Sequence, residues 1–218
     1  MAKGVLIAAM DFSNVAEDEF NDWYDTGHIP ERQRVPGFLV CQRWIGAENP
    51  RQSVATYDLE NVLVLQGPNY RAIGGENLSP WSKRVTARVQ RLVRFEGDQI
   101  LPGDRVAPDN AGGLLVVGMT PAPAVETAFN AWYDTEHVPA LARVPGVLCA
   151  AASAPPAATR DTWPSTISPP PRWSTAPNGR PRAARRRCPS TSGRKSATAC
   201  ASSAEITDAR AERAPTSP

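Results

Sequence analysis

Residues 4–41 read GVLIAAMDFSNVAEDEFNDWYDTGHIPERQRVPGFLVC, and residues 113–150 read GLLVVGMTPAPAVETAFNAWYDTEHVPALARVPGVLCA. At a constant offset of 109 and without a gap, 17 of the 38 positions are identical. The matches include Phe20/Phe129, Trp23/Trp132, Tyr24/Tyr133, Asp25/Asp134, His28/His137, Pro30/Pro139 and Arg34/Arg143, and the triplet Val-Pro-Gly at 35–37 and 144–146. Identity of this density at one offset is the signature of a duplicated unit.

One unit can be read element by element. Val5–Met10 is a short, wholly apolar run and predicts a buried strand. Ser13 or Asn14 is placed to cap a helix over Ala16–Tyr24, whose first turn carries Glu17, Asp18 and Glu19. Phe20, Trp23 and Tyr24 share one face of it. Pro30 and Pro36-Gly37 predict a loop and a turn. Phe38–Ile45 and Ser53–Leu59 read as strands, Asn61–Ala72 as a second helix interrupted by Gly67-Pro68, and Val85–Phe95 as the last strand. The order is βαββαβ, an α+β, ferredoxin-like arrangement with helices on one face of a four-stranded sheet. The bare face needs a cover, which a second copy supplies. The expected organisation is therefore a ferredoxin-like domain over 1–99, a linker over 100–112, an incomplete second copy over 113–150, and a tail over 151–218.

The string F-N-x-W-Y-D-T-x-H-x-P, residues 20–30, followed by R-V-P-G at 34–37, resembles the dimeric α+β-barrel superfamily. Within it, the chain is similar to the EthD-like and antibiotic-biosynthesis-monooxygenase-like families. The resemblance covers residues 4–96, and 113–150 by repetition. It implies a dimeric barrel with a cleft between sheet and helices in each half, and the histidine near its mouth. The reactions it implies are diverse: cofactor-free oxygenation, isomerisation, dehydration, haem handling. The second half departs from the pattern by ending before its second strand is complete.

The chain has two histidines, His28 and His137, at equivalent positions of the repeat. Each follows an aspartate by three residues (Asp25, Asp134) and a tyrosine by four (Tyr24, Tyr133), so a continued helix brings the three side chains together. An aspartate can fix the imidazole tautomer and leave the other nitrogen as a general base near neutral pH. The tyrosine can polarise a carbonyl or phenol oxygen. Arg32, Arg34 and Arg143 are candidates for an anionic substrate group. Phe20, Trp23, Trp44 and Trp132 offer apolar walls, and Tyr57 faces either the cleft or the core. The same residues also have purely structural readings. Phe20, Trp23 and Tyr24 fit a helix core, His28 and Asp25 fit the end of a helix, and the arginines fit a charged surface.

These features predict a small-molecule enzyme working by histidine-centred acid–base chemistry on an aromatic or carbonyl-bearing metabolite, with neither metal nor nucleotide. The alternatives are a non-catalytic ligand-binding or stress-associated barrel and the inactive product of a disrupted gene. The expected partners are a small-molecule substrate and a second copy, in a homodimer or within one chain. Nothing points to a membrane or to specific nucleic-acid binding, and the expected location is the cytoplasm. The four cysteines lack metal or disulfide-scaffold spacing. Gly74-Gly75 lacks the context of a phosphate loop.

Overall charge is +2 and apolar content 41 %, but the average hides two unlike pieces. Residues 151–218 contain no Leu, Val, Phe, Tyr or Met, and their 11 Lys+Arg against 4 Asp+Glu give +7, leaving −5 on residues 1–150. Such a segment cannot bury enough surface to offset its ordering entropy and is expected to be disordered, with RPRAARRRC at 180–188 its densest basic run. The genetic code suggests an origin. Codons shifted by one position permit the tail's DTWPSTIS, residues 161–168, to encode R-H-L-A-L-Y-H-L, which at the same offset falls opposite QSVATYDL, residues 52–59. The expectation is a reading frame that slipped near Ala150. Resequencing the coding DNA checks it: an inserted or deleted base near codon 150 is expected, and an unbroken frame in independent reads contradicts it.

Overall fold

The computed structural model describes residues 1–155 and the backbone of residues 201–203. The strands are β1 (Gly4–Asp11), β2 (Phe38–Ile45), β3 (Gln52–Leu59), β4 (Gln90–Leu101), β5 (Ala150–Ala154) and β6 (Ala201–Ser203). They form one sheet in the order β2-β3-β1-β4-β5-β6. The first four pair antiparallel, with β1 central between β3 and β4. That is the ferredoxin-like order, and the chain is an α+β protein. Among the described residues, no helix is long and apolar enough to cross a membrane.

The helical layer differs from the sequence reading in instructive ways. The first helix does not stop at Tyr24. It runs as α1 (Glu17–Asp22), a π-helical turn (Trp23–His28) and α2 (Ile29–Gln33). Pro30 lies in the first turn of α2 and not in a loop, because proline's missing N–H costs nothing where the turn has already widened. Neither Ser13 nor Asn14 caps α1; the cap position is Ala16, with no side-chain bond. The predicted second helix over 61–72 breaks into a 3-10 turn (Val62–Gln66), α3 (Pro68–Arg71) and another 3-10 turn (Gly75–Asn77). Gly67-Pro68 forces that break. The segment read as the start of the last strand belongs to α4 (Pro80–Thr86), where Val85 is buried. β4 starts only at Gln90 and takes in Ile100 and Leu101 of the expected linker.

Strand parity assigns the core. Leu6 and Met10 of β1 and Ala55, Tyr57 and Leu59 of β3 face the helices and pack with Phe20, Trp23, Tyr24 and Val85. Val5, Ile7 and Ala9, with Val54 and Phe95, face the other way. That second face is covered by the chain itself, through Leu114 and the flanking Val116. Polar stitches hold the intervening strap. Asp58 accepts from the Ala107 N–H at 2.7 Å, Gln42 donates to the Pro108 carbonyl at 2.8 Å, and Gln99 accepts from the Gly103 and Arg105 N–H groups.

The later segment repeats the helical pattern: α5 (Glu126–Trp132), a π turn (Tyr133–His137) and α6 (Val138–Ala142). Its first-strand counterpart is reduced to a single bridging residue, Val116. Ala151–Ala154, expected to be disordered, instead extend the sheet in β5, antiparallel to β4. Small side chains make this approach possible: a Cβ at Gly97 would lie 2.5 Å from the Ala154 carbonyl oxygen. β6 adds in parallel to β5. Cys149 is disulfide-bonded, which the cysteine spacing gave no reason to expect. The rest of the tail, with its basic run and the shifted-frame match, lies outside the described residues.

Candidate functional site

The π turn sets the site. The Ile29 N–H bonds to the Tyr24 carbonyl, five residues back, and this wider turn brings residues five apart, Trp23 and His28, to one side while Tyr24 and His28 stay neighbours. His28 therefore sits against the two aromatic residues that open the turn. Its ring centroid is 4.7 Å from Trp23 and 5.2 Å, edge-on, from Tyr24. Trp23 is anchored in turn, its indole N–H donating to Ser82 Oγ at 3.0 Å in the buried layer. Ser82 belongs to α4, whose N-terminus Ser79 caps.

Within the first copy, three buried side-chain polar atoms meet no hydrogen-bond partner among the described residues: Tyr24 OH, Tyr57 OH and His28 Nδ1. Tyr24 and Tyr57 come from the helical layer and from β3, and their hydroxyls lie close enough to act on each other's ionisation without satisfying hydrogen-bond geometry. Burial pushes the Tyr24 phenol up to about 12 and Tyr57 well above its ordinary 10, so both keep their protons. Burial, with help from Arg32 and Arg94, holds the His28 imidazole down at about 3. His28 is a partly exposed residue overall, but Nδ1 itself is sealed from water. In place of the expected base with an ordinary neutral-range pKa stands an imidazole that burial keeps uncharged at neutral pH.

Asp25 does not orient it. Its carboxylate binds Arg43 of β2 through Nε at 2.9 Å and Nη2 at 3.0 Å, and Arg43 also reaches Asn21. Arg43 covers the Tyr24 ring at 5.3 Å. Arg32, 3 % exposed, pairs with Glu31 at 2.7 Å and donates to the Ile73 carbonyl. Arg94 pairs with Glu96 and donates to Tyr70 OH at 3.2 Å. Of the arginines expected to hold substrate, Arg34 is exposed on the surface, as is Arg143. Phe20 and Trp23 are fully buried, in the core position that the helix pattern also allowed. Trp44 lies on the opposite face, packed with Val54 and its neighbours. Register explains this: Cys41 pairs with Tyr57, and Trp44, three residues on, must point the other way.

The second copy reproduces the turn without the surroundings. His137 stands 4.7 Å from Trp132 and 5.0 Å from Tyr133, but Trp132 is 41 % exposed. At the 109 offset, Leu141 replaces Arg32 and Ala152 replaces Arg43. Asp134 Oδ1, the counterpart of an Asp25 oxygen, is buried with no hydrogen-bond partner.

Asp58, Arg43 and Arg94 escaped the sequence reading. Period-two alternation places Arg43 on the Tyr57 face and Asp58 on the other. Asp58 lines a narrow cleft under the strap with Gln42, Thr56 and Gln99, with room for little more than one water. Burial pushes its carboxyl up to about 6, offset in part by the Ala107 N–H.

The fold aligns with two solved structures. One is a Bordetella bronchiseptica protein provisionally described as an antibiotic biosynthesis monooxygenase: 15 % identity, 46 % of this chain, 100 % of that one, TM-score 0.33. The other is MupZ from Pseudomonas fluorescens: 10 % identity, 44 % of this chain, 71 % of that one, TM-score 0.33. At this level the likeness carries no argument. No family model matches the chain, and no curated protein does.

The two shifted groups make a paired prediction. Lowering pH lets the unfolded chain protonate His28 at its ordinary 6.5 while the folded imidazole resists until about 3, so this group withdraws stability in acid. Asp58 acts oppositely. The folded carboxyl keeps its proton up to about 6 against an ordinary 3.8, so this group adds stability in acid. Each slope reaches about 1.4 kcal/mol per pH unit, so between about pH 4 and 6 they nearly cancel. Asp58→Asn keeps an acceptor for Ala107. Urea unfolding of that variant is expected to show stability falling by about 1 kcal/mol per unit on acidification, and His28→Gln the reverse. Slopes unchanged from the parent contradict the assignment.

Proposed function

We propose that residues 1–101 form a small-molecule enzyme domain whose site lies between the helical layer and the sheet, at Tyr24, His28 and Tyr57. The reading is cofactor-independent proton transfer on an aromatic or carbonyl-bearing metabolite. One observation carries it: the Tyr24 and Tyr57 hydroxyls, from two layers of the fold, and Nδ1 of His28, whose ring lies edge-on to Tyr24, are each buried and left unspent. An unmade buried hydrogen bond costs about 1–3 kcal/mol, and a ligand that completes these bonds recovers that cost.

The chemistry follows from the protonation states. As its Nε2–H tautomer, His28 offers a lone pair on Nδ1. A carbon acid in the site loses its α-proton to that nitrogen, and the electron pair moves to the carbonyl oxygen. The imidazolium forms beside the enolate and not alone, so the two charges offset each other where a lone buried cation is unfavourable. Returning the proton to the same or a neighbouring carbon gives exchange or isomerisation. Loss of a β-leaving group gives dehydration, and dioxygen as co-substrate gives oxygenation.

We infer further that residues 113–154 are a degraded second copy standing in for a partner subunit. In its support, β5 is the offset counterpart of residues 41–45 of β2 and pairs with β4 of the first copy. Ala152, just past the suspected frame slip, is the residue whose counterpart Arg43 satisfies Asp25. The second site therefore contributes no chemistry.

The test is deuterium wash-in at the α-carbons of 2-tetralone in heavy water, followed by NMR. The full chain is expected to accelerate exchange, and His28→Gln to slow it by about 100-fold or more. His137→Gln is expected to leave the rate within about two-fold of the parent. Binding of the ketone without any accelerated exchange contradicts catalysis and favours a ligand-binding protein.

A further inference from the structure

The charges around the site narrow its ligand. Three guanidinium groups border the Tyr24–His28–Tyr57 cluster, and each already has a carboxylate: Arg32 has Glu31, Arg43 has Asp25, and Arg94 has Glu96. Their remaining bonds are largely spent as well, on the Ile73 carbonyl, on Asn21 and on Tyr70 OH. The imidazole is neutral and both phenols are protonated. The cluster therefore carries no uncompensated charge. A carboxylate or phosphate entering it would shed its hydration and find no free cation, which costs several kcal/mol per ion. Arg32, one of the arginines expected to hold an anion, is thus already spent on Glu31 and the Ile73 carbonyl.

What the cluster does offer is donors. Tyr24 and Tyr57 face each other from opposite layers. With no satisfied hydrogen-bond geometry between them, each phenol keeps its O–H for a third oxygen. The surroundings are aromatic: Phe38 lies 5.8 Å from Tyr57, and the Tyr70 ring stacks 5.7 Å from Phe38.

We propose that Tyr24 and Tyr57 donate together to one carbonyl oxygen of a neutral, flat, largely apolar ligand, such as an aryl ketone or quinone, and that the site rejects the corresponding carboxylate. The proposal rests on the reading of this cluster as a small-molecule site. In the proton-transfer reaction the same two O–H groups face the oxygen on which negative charge develops, where donors fixed in advance are most effective.

The experiment uses the full chain and two fused bicyclic probes of similar size, 2-tetralone and 2-naphthoate, with binding read by calorimetry. The ketone is expected to bind at least about 10-fold tighter than the carboxylate, and Tyr57→Phe or Tyr24→Phe to weaken it by about 10-fold. Stability supplies the readout that a merely structural role would not give. Removing an unspent buried hydroxyl relieves its desolvation cost, so each Phe variant is expected to melt no lower than the parent. A hydroxyl needed for packing or bonding would lower Tm. Equal binding of both probes, binding of neither, unchanged ketone affinity in the Phe variants, or a lowered Tm overturns the proposal. The two readings fail separately. Tyrosine-dependent ketone binding without α-exchange removes the catalytic reading and leaves this one, whereas exchange indifferent to both tyrosines does the opposite.

Discussion

The site depends on one hydrogen bond of unusual span, from the Ile29 N–H to the Tyr24 carbonyl five residues earlier. An α-helical turn would bond four residues back, keep His28 near Tyr24, and carry it away from Trp23, five residues earlier. The wider turn costs helix regularity and is stabilised by its neighbours. Trp23 is held by Ser82, and Pro30 follows where a missing N–H does no harm. The same geometry recurs at Tyr133, whose carbonyl takes the Val138 N–H. The shared residues W-Y-D-T-x-H-x-P thus encode a backbone shape. That shape, more than any catalytic spacing, is what keeps the imidazole against its two aromatic neighbours.

Much of the fold was legible because strands announce themselves through parity. β1, β2 and β3 were readable as apolar or alternating runs, and the ferredoxin-like order followed from them. The first helix's end was not readable. Proline normally argues for a boundary, and nothing local in the sequence says that the preceding turn is π rather than α. β4 was misplaced because Val85–Val89 is apolar enough for a strand, while the Ser79 cap and Pro80 that start α4 are weaker signals. At the site, the tyrosine–histidine proximity could be read, but the partner of Asp25 could not. Arg43 is remote in sequence and reaches it only because β2 packs beneath the π turn.

The two faces of the sheet divide the labour. The helix-facing side holds the unspent polar atoms. The other side is closed by the chain's own strap, stitched by Gln42, Asp58 and Gln99, with Leu114 packed on the apolar floor. A ferredoxin-like sheet leaves that side bare, and burying Val5, Ile7, Val54 and Phe95 there contributes to stability in proportion to the apolar area removed from water. The later segment therefore has a structural role even though its own histidine lacks the arginines, and a β3 tyrosine among the described residues, that surround His28.

The most direct measurement is a crystal structure of the full chain with 2-tetralone bound. The account predicts the ketone between helical layer and sheet, its oxygen within hydrogen-bond distance of both the Tyr24 and Tyr57 hydroxyls and its α-carbon against His28 Nδ1. A ketone seated instead under the strap on the opposite face, with those hydroxyls unengaged, would contradict it.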